Sequence, residues 1–433
     1  MKDKQVRRIL AASYFSSFGS SVYFVSVAWL LYQMTSDATY TGLLVGLGFL
    51  PGVFLNLVFG VMVDRMDRKK LTVVSLVIIT VSISLLLAAL AKGAAEPWMI
   101  MTVHMLVQTF SSLFRTAQQA FITELYPKHT LASVFSKVSA AVSIGGLLGT
   151  TMGGVAISLL AANIIMTVVL GSFVISVVCA WLTHSKAQIP EDRSNIGYLS
   201  GLKDLAEGIG YIHKHPFMYS LFSVLFVGQL VVHTSTSLLP VYASAYLAVS
   251  SKVYGVLESS VSIGAIVAGF SAICFLKLYK QSISTVSLFV TLLGLGLLAF
   301  TKNSFVSFAA IFLLGLGTSW LRVLMQTVQQ VYTHPKYYGR MAAMRQTVNQ
   351  TSVAIGAPII GVIAENFGAN YAYGALLVPV FGVMVLSIFV SKQRTFIDII
   401  VTISEREQES VKPKKSFWRK RRNTETSNYE IKI

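Results

Sequence analysis

Residues 60–70 read GVMVDRMDRKK, and they divide an apolar run ending at Phe59 from another starting at Leu71. Each run is long enough to cross about 30 Å of hydrocarbon as a helix. A charge-packed turn between two such runs must stay in water, so this stretch marks one face of a membrane. The matching turn on the other side of each run then marks the opposite face, and the whole chain can be laid out from this one turn.

The composition supports that reading. Of 433 residues, 54% are hydrophobic and only 12% charged, against roughly 25% charged in soluble domains. The net charge of +17 does not indicate a nucleic-acid partner, because the basic residues are spread over turns between apolar runs and a tail rather than gathered on one soluble face. Cys179 and Cys274 both sit inside apolar runs, where cysteine behaves as a small hydrophobe, so neither a disulfide framework nor a metal site is expected. The basic stretch Met1–Arg8 precedes an apolar run too long for a signal peptide, which reads as a first spanning helix.

Twelve spans are predicted, at 9–33, 39–63, 71–91, 98–123, 131–159, 162–184, 217–247, 253–276, 282–301, 304–330, 340–365 and 371–391. The fold class is an all-α membrane protein of twelve transmembrane helices. Its expected domains are a six-helix bundle over 1–184, a linker over 185–216, a second six-helix bundle over 217–391 and a basic tail over 392–433. Arg65, Arg68, Lys69, Lys70, Lys128, Lys277, Lys280 and Lys336 lie on the side of the opening turn, against Lys92, Lys252 and Lys302 on the other. The first side is therefore expected to be cytoplasmic, with both termini. The tail's KPKKSFWRKRR at 412–422 suits a solvated tail or a contact with anionic membrane lipids.

The two halves resemble each other. SSLFRTAQQ at 111–119 aligns with TSWLRVLMQ at 318–326, and the same offset of 207 pairs Gly149 and Gly154 with Gly356 and Gly361. Residues 41–44 (TGLL) echo 254–257 (YGVL) at an offset of 213. Parallel repeats of a six-helix unit follow.

Polar residues recur at helical spacing inside the fourth span: His104, Gln108, Ser111, Arg115, Gln118 and Gln119. The tenth offers Ser319, Arg322, Gln326, Gln329 and Gln330, the seventh Gln229, His233 and Ser237, and the eleventh Arg345, Asn349 and Ser352. Such stripes avoid lipid and turn to a wet cavity or to protein. The cavity reading assigns His104, Gln108, Arg115, Gln119, His233, Arg322, Gln326 and Asn349 to substrate. Of eighteen acids, only Glu258 lies plainly within a span, and it is the candidate for proton coupling, since burial favours a carboxyl that can be neutral in one state. In the fifth span, five glycines occur from Gly145 to Gly154. Gly145, Gly149 and Gly153 share a face that admits a neighbouring backbone closely.

These features resemble the major facilitator superfamily of secondary transporters over the whole chain. Its signature after the second helix, G-x-x-x-D-(R/K)-x-G-(R/K)-(R/K), is matched by Gly60, Asp64, Arg65, Arg68 and Lys69, with Asp67 at the glycine position. The resemblance implies an inner-gate latch at these residues, with Gly60 permitting close approach and Glu124 partnering Arg68. The antiporter pattern G-x-x-x-G-P-x-x-G-G is matched by Gly145, Gly149, Gly153 and Gly154, with Thr150 in place of proline. Arg115 with Gln118 and the run ITELYPKHTLASVFS are similar to bacterial drug exporters of the macrolide-efflux-like branch. The resemblance implies an alternating-access exporter of amphipathic small molecules, working as a monomeric proton antiporter in the cell membrane. The proton gradient replaces any cofactor. The rival readings are an importer or uniporter on the same fold, and a non-transporting sensor or recruiter acting through its tail. No metal cluster, phosphate loop or Ser/His/Asp arrangement points to an enzyme.

Overall fold

A computed structural model describes residues 2–184, 207–279, 282–334 and 337–401. Residues 185–206 of the expected linker and the 412–422 run of the tail lie outside the described residues. Among the described residues there are twelve α-helices of 18 to 34 residues and no strand. They are α1 (Lys2–Thr35), α2 (Ala38–Arg65), α3 (Arg68–Ala91), α4 (Pro97–Leu125), α5 (Lys128–Leu159) and α6 (Ala162–Trp181). The second half contributes α7 (Phe217–Val241), α8 (Ser251–Tyr279), α9 (Ile283–Phe300), α10 (Ser304–Tyr332), α11 (Tyr338–Phe367) and α12 (Ala369–Ser391). Each predicted span falls on one of them. Helix satisfies its own backbone groups, which is what an apolar run needs where water is absent.

The turns are set by a few residues. Asp67, at the position where the signature has glycine, caps α3 by accepting from the Lys70 N–H at 3.0 Å. Asp37 caps α2 through the Thr39 N–H at 2.7 Å, and Asn303 caps α10 through the Phe305 N–H at 2.9 Å. Gly368, at φ 101°, is the single residue between α11 and α12, a backbone region that costs a residue with a Cβ. The predicted span 217–247 is not one regular helix: α7 stops at Val241 and Tyr242–Tyr246 form a wider π turn two residues after Pro240, whose missing N–H breaks the regular ladder.

Eleven of the twelve helices are long and apolar enough to cross a membrane by length and composition. The exception is α4, whose His104, Gln108, Arg115, Gln118 and Gln119 dilute its apolar content. Large apolar side chains such as Phe54, Leu85, Phe270, Phe300, Phe305 and Val378 are exposed on the outside, a surface suited to hydrocarbon rather than water.

Within 1–184, α1 packs on α5 and α6, and α4 on α2 and α3; within 217–391, α10 packs on α8 and α9, and α7 on α11 and α12. The main joins between the halves are α2 with α11 and α5 with α8. By the repeat offsets α2 corresponds to α8 and α5 to α11, so these two joins are equivalent by the internal pseudo-symmetry. At both, glycine meets glycine. A Cβ on Gly154 would overlap Gly255, and one on Gly361 would lie 3.0 Å from the Gly42 Cα.

Candidate functional site

A cavity of about 290 Å³ lies between α2, α4, α7 and α11. Helix α4 gives it Gln108, Ser112 and Arg115, which the 3.6-residue period places on one face. Helix α2 gives Gly48, Phe49 and Gly52, α7 gives Gln229 and His233, and α11 gives Gln346 and Gln350. The walls therefore come from both halves. The glycines on α2 leave room for the polar side chains opposite: a Cβ on Gly52 would lie 2.7 Å from the Gln350 amide, and one on Gly48 would lie 2.8 Å from His104 Nε2.

One wall is a hydrogen-bonded chain. Ser112 Oγ donates to Asn56 Oδ1 at 2.8 Å, and Asn56 Nδ2 donates to Gln350 Oε1 at 2.5 Å. Three helices, α4, α2 and α11, are thereby tied together across the join between halves. Leaving the buried Gln350 amide unpaired would cost about 1–3 kcal/mol.

The electrostatics are one-sided. Arg115 is exposed, and it is exposed to the cavity. Its repeat partner Arg322 lines a small adjoining recess that shares Gln229, where its Nη2 donates to Ser319 Oγ at 3.3 Å. His233 stands within electrostatic reach of both arginines and takes the edge of the Phe49 ring at 4.6 Å. Among the described residues, no aspartate or glutamate lines either space.

The expected cavity residues divide. Gln108, Arg115 and His233 are on the wall, and Arg322 is in the recess. His104 is not on the wall: it is buried behind Gly48, nearly parallel to Tyr23 with ring centroids 5.8 Å apart, and both of its ring nitrogens lack partners among the described residues. Gln119 is exposed and off the cavity, while its neighbour Gln118 accepts from Ser13 on α1 at 3.3 Å and so joins helices. Gln326 is half-buried outside both spaces. On α11 the expected face is one residue out of phase. Gln346 and Gln350 reach the cavity, whereas Asn349 is buried off it and Arg345 turns to Gln329 on α10 at 3.1 Å. A one-residue shift rotates a helical position by 100°, which is enough to move a side chain from cavity to protein.

Glu258 is 5% exposed on α8, and its Oε2 has no hydrogen-bond partner among the described residues. Tyr254 and Tyr373 are close enough to interact with it electrostatically. Each tyrosine is otherwise engaged. Tyr254 donates to the Val25 carbonyl on α1 at 3.3 Å, and Tyr373 donates to the Ser235 carbonyl at 2.8 Å.

At the basic-turn end, Arg68 Nη1 lies 3.7 Å from Glu124 and donates to the Ala120 carbonyl at 3.2 Å, joining the start of α3 to the end of α4. Lys69 is half-exposed in the first turn of α3, and of the motif's Asp64 and Arg65 only the backbone, at the end of α2, is described. In this arrangement a Cβ on Gly60 would meet nothing within 4 Å among the described residues, so no close backbone approach is made there with the basic-turn end in this state. The fifth-span glycines do admit close neighbours. Cβ atoms on Gly145 and Gly149 would lie 2.5 Å from the Tyr14 and Phe18 carbonyl oxygens of α1, and one on Gly153 would lie 3.1 Å from the Val22 Cα.

Contacts between the halves run from Asn56–Gln350 outward to the end opposite the basic turns. There Trp29 stacks on Tyr254 at 4.9 Å, the glycine pairs meet, and Glu365 Oε2 of α11 accepts from the Ala38 N–H that opens α2 at 2.7 Å. A carboxylate at a helix N-terminus is favoured there by the helix dipole.

Residues 1–415 match the transmembrane secretion effector family. The chain is 23% identical to macrolide efflux protein A of Streptococcus pyogenes over 84% of its own length and 90% of that protein's. It is 21% identical to the multidrug efflux pump Tap of Mycolicibacterium fortuitum, over 89% and 95% respectively. Its fold is similar to that of a bacterial homolog of the human lysosomal transporter Spinster in an inward-facing, unoccupied conformation. That likeness has a TM-score of 0.74 at 14% identity and covers 92% of this chain and 99% of the other. The all-helical architecture, the apolar exterior and this match agree: the chain is a multi-pass membrane transporter belonging to the transmembrane secretion effector family of the major facilitator superfamily.

Proposed function

We propose that the protein exports amphipathic small molecules across the cell membrane by alternating access, as a monomeric proton antiporter with both termini cytoplasmic. Two six-helix bundles, 1–184 and 217–391, rock about the cavity, which opens toward the basic-turn side when the opposite end is closed. The observation that carries this reading is the placement of the cavity: its walls come from both halves, and among the described residues the contacts between halves extend from it toward the end opposite the basic turns. Two relatives, macrolide efflux protein A and the multidrug efflux pump Tap, are efflux proteins, which supports the outward direction.

Substrate enters beside Arg115, His233, Gln108 and the Asn56–Gln350 chain. Reorientation separates the Gly154–Gly255 and Gly361–Gly42 crossings and closes the basic end, where Asp64, Arg65, Arg68, Lys69 and Glu124 form the latch. Glu258 carries the proton: it is a buried acid without a full set of partners, on a helix that belongs to one of the two joins. Membrane lipids solvate the apolar exterior and hold the basic tail by charge.

Reconstitution in vesicles with an internal pH reporter and a panel of drugs tests this function. Substrate-dependent proton movement that Glu258→Gln abolishes is the expected result. A panel that moves no protons, or a mutant that behaves as the parent, excludes antiport through Glu258.

A further inference from the structure

The cavity carries a charge pattern that narrows the substrate. Arg115 faces it and has neither an ion pair nor a hydrogen bond among the described residues. Arg322, next to it through Gln229, holds a single serine hydroxyl. The remaining wall is supplied by Gln, Ser, His, Gly and Phe. Glu258, beside Tyr254 and Tyr373, makes no ion pair with either arginine among the described residues.

Two cations held inside a membrane protein without a counter-charge are costly, and the usual relief is a paired carboxylate. Arg68 and Arg340 have such partners, in Glu124 and Glu207, at 3.7 and 2.7 Å. The repeat-related pair in the interior has none among the described residues.

We infer that the transported molecule is an amphipathic anion whose carboxylate, or an acidic group of similar shape, is taken by Arg115, with Arg322 supplying the second positive field and Phe49 meeting the apolar part. The guanidinium fork suits two parallel hydrogen bonds to a carboxylate. The amides of Gln108, Gln229 and Gln346 offer further donors. A cavity of about 290 Å³ suits a molecule at the small end of the range that binding pockets accept.

This inference rests on the transport reading for its purpose, but its test does not require transport. Equilibrium dialysis of the purified full chain in detergent compares three probes of one shape: 1-naphthylacetate, its neutral amide and the cationic 2-(1-naphthyl)ethylamine. The anion is expected to bind about tenfold or more tightly than the amide, as a charge-assisted pair implies, and the amine more weakly still. Arg115→Gln should erase the preference for the anion, and Arg115→Lys should restore part of it. Equal binding of the three probes, tighter binding of the amine, no binding by any of them, or a preference that survives Arg115→Gln overturns the inference. Should Arg115→Gln fail to fold, the probe series on the parent chain decides alone. The two readings fail separately. Charge-selective binding with no movement in vesicles would sink transport only, and movement of the drug panel without charge selectivity would sink the anion only.

Discussion

Asn56 is the residue on which the cavity's wall depends. Its amide accepts from Ser112 and donates to Gln350, so removing it strands a buried amide on the other half of the molecule. Asn56→Leu and Gln350→Leu are each expected to destabilise the protein by about 1–3 kcal/mol. The double mutant should lose less than the sum, by a coupling of about 0.5–3 kcal/mol, because neither amide is then orphaned. Thermal unfolding of the four proteins in detergent measures this, and strict additivity would show that the two side chains do not act together. Asn56 is the lone amide in an otherwise apolar span, 39–63, so it was legible in the sequence by the same reasoning that singled out Glu258. The polar stripes have several members each, and repetition along one helix is a stronger signal than a lone amide. His104 shows the converse limit. Its spacing puts it on the face of Gln108 and Arg115, but the packing of Tyr23 and Gly48 against it, which spacing does not encode, takes it out of the cavity.

At the scale of helices, the repeat did most to make the architecture readable. The 207 and 213 offsets match the equivalence of the α2–α11 and α5–α8 joins, and of the glycines they pair, Gly154 with Gly361 and Gly42 with Gly255 supply the two crossings, Gly154 meeting Gly255 and Gly361 meeting Gly42. Phase was less readable. The period places residues 345, 349 and 352 of α11 together, but it does not say which of two adjacent faces turns to the cavity, and that choice belongs to neighbours on α2 and α10. Gly154→Leu tests the joins. A side chain at Gly154 has no room beside Gly255, so the closed arrangement of that end becomes strained. A single cysteine in the cavity, at Gln346 in a chain with Cys179→Ser and Cys274→Ser, is then expected to react faster with membrane-impermeant thiol reagent added from that end. Each kcal/mol of bias gives about a fivefold change. An unchanged rate would mean that the glycine crossing does not govern access.

For the molecule as a whole, the 60–70 turn has two roles to separate. A marker of orientation needs only its basic residues, as in the matching region around Lys277, whereas Asp64 is an acid that orientation does not require. Asp64→Asn is expected to reach the membrane in normal amount and orientation, with transport reduced at least tenfold if it breaks a latch worth about 1.4 kcal/mol. Quantitative blotting with vesicle transport reads both, and normal transport would reduce the stretch to a marker. Alternating access requires one cavity between the halves to be reached in turn from the two sides of the membrane. The cysteine at Gln346 tests it in sealed vesicles of known orientation, with impermeant reagent on one side at a time and with or without a substrate and pH gradient. Labelling from the basic-turn side at rest, and a shift toward the other side during turnover as the first declines, is the predicted result. Labelling confined to one side under every condition would contradict it.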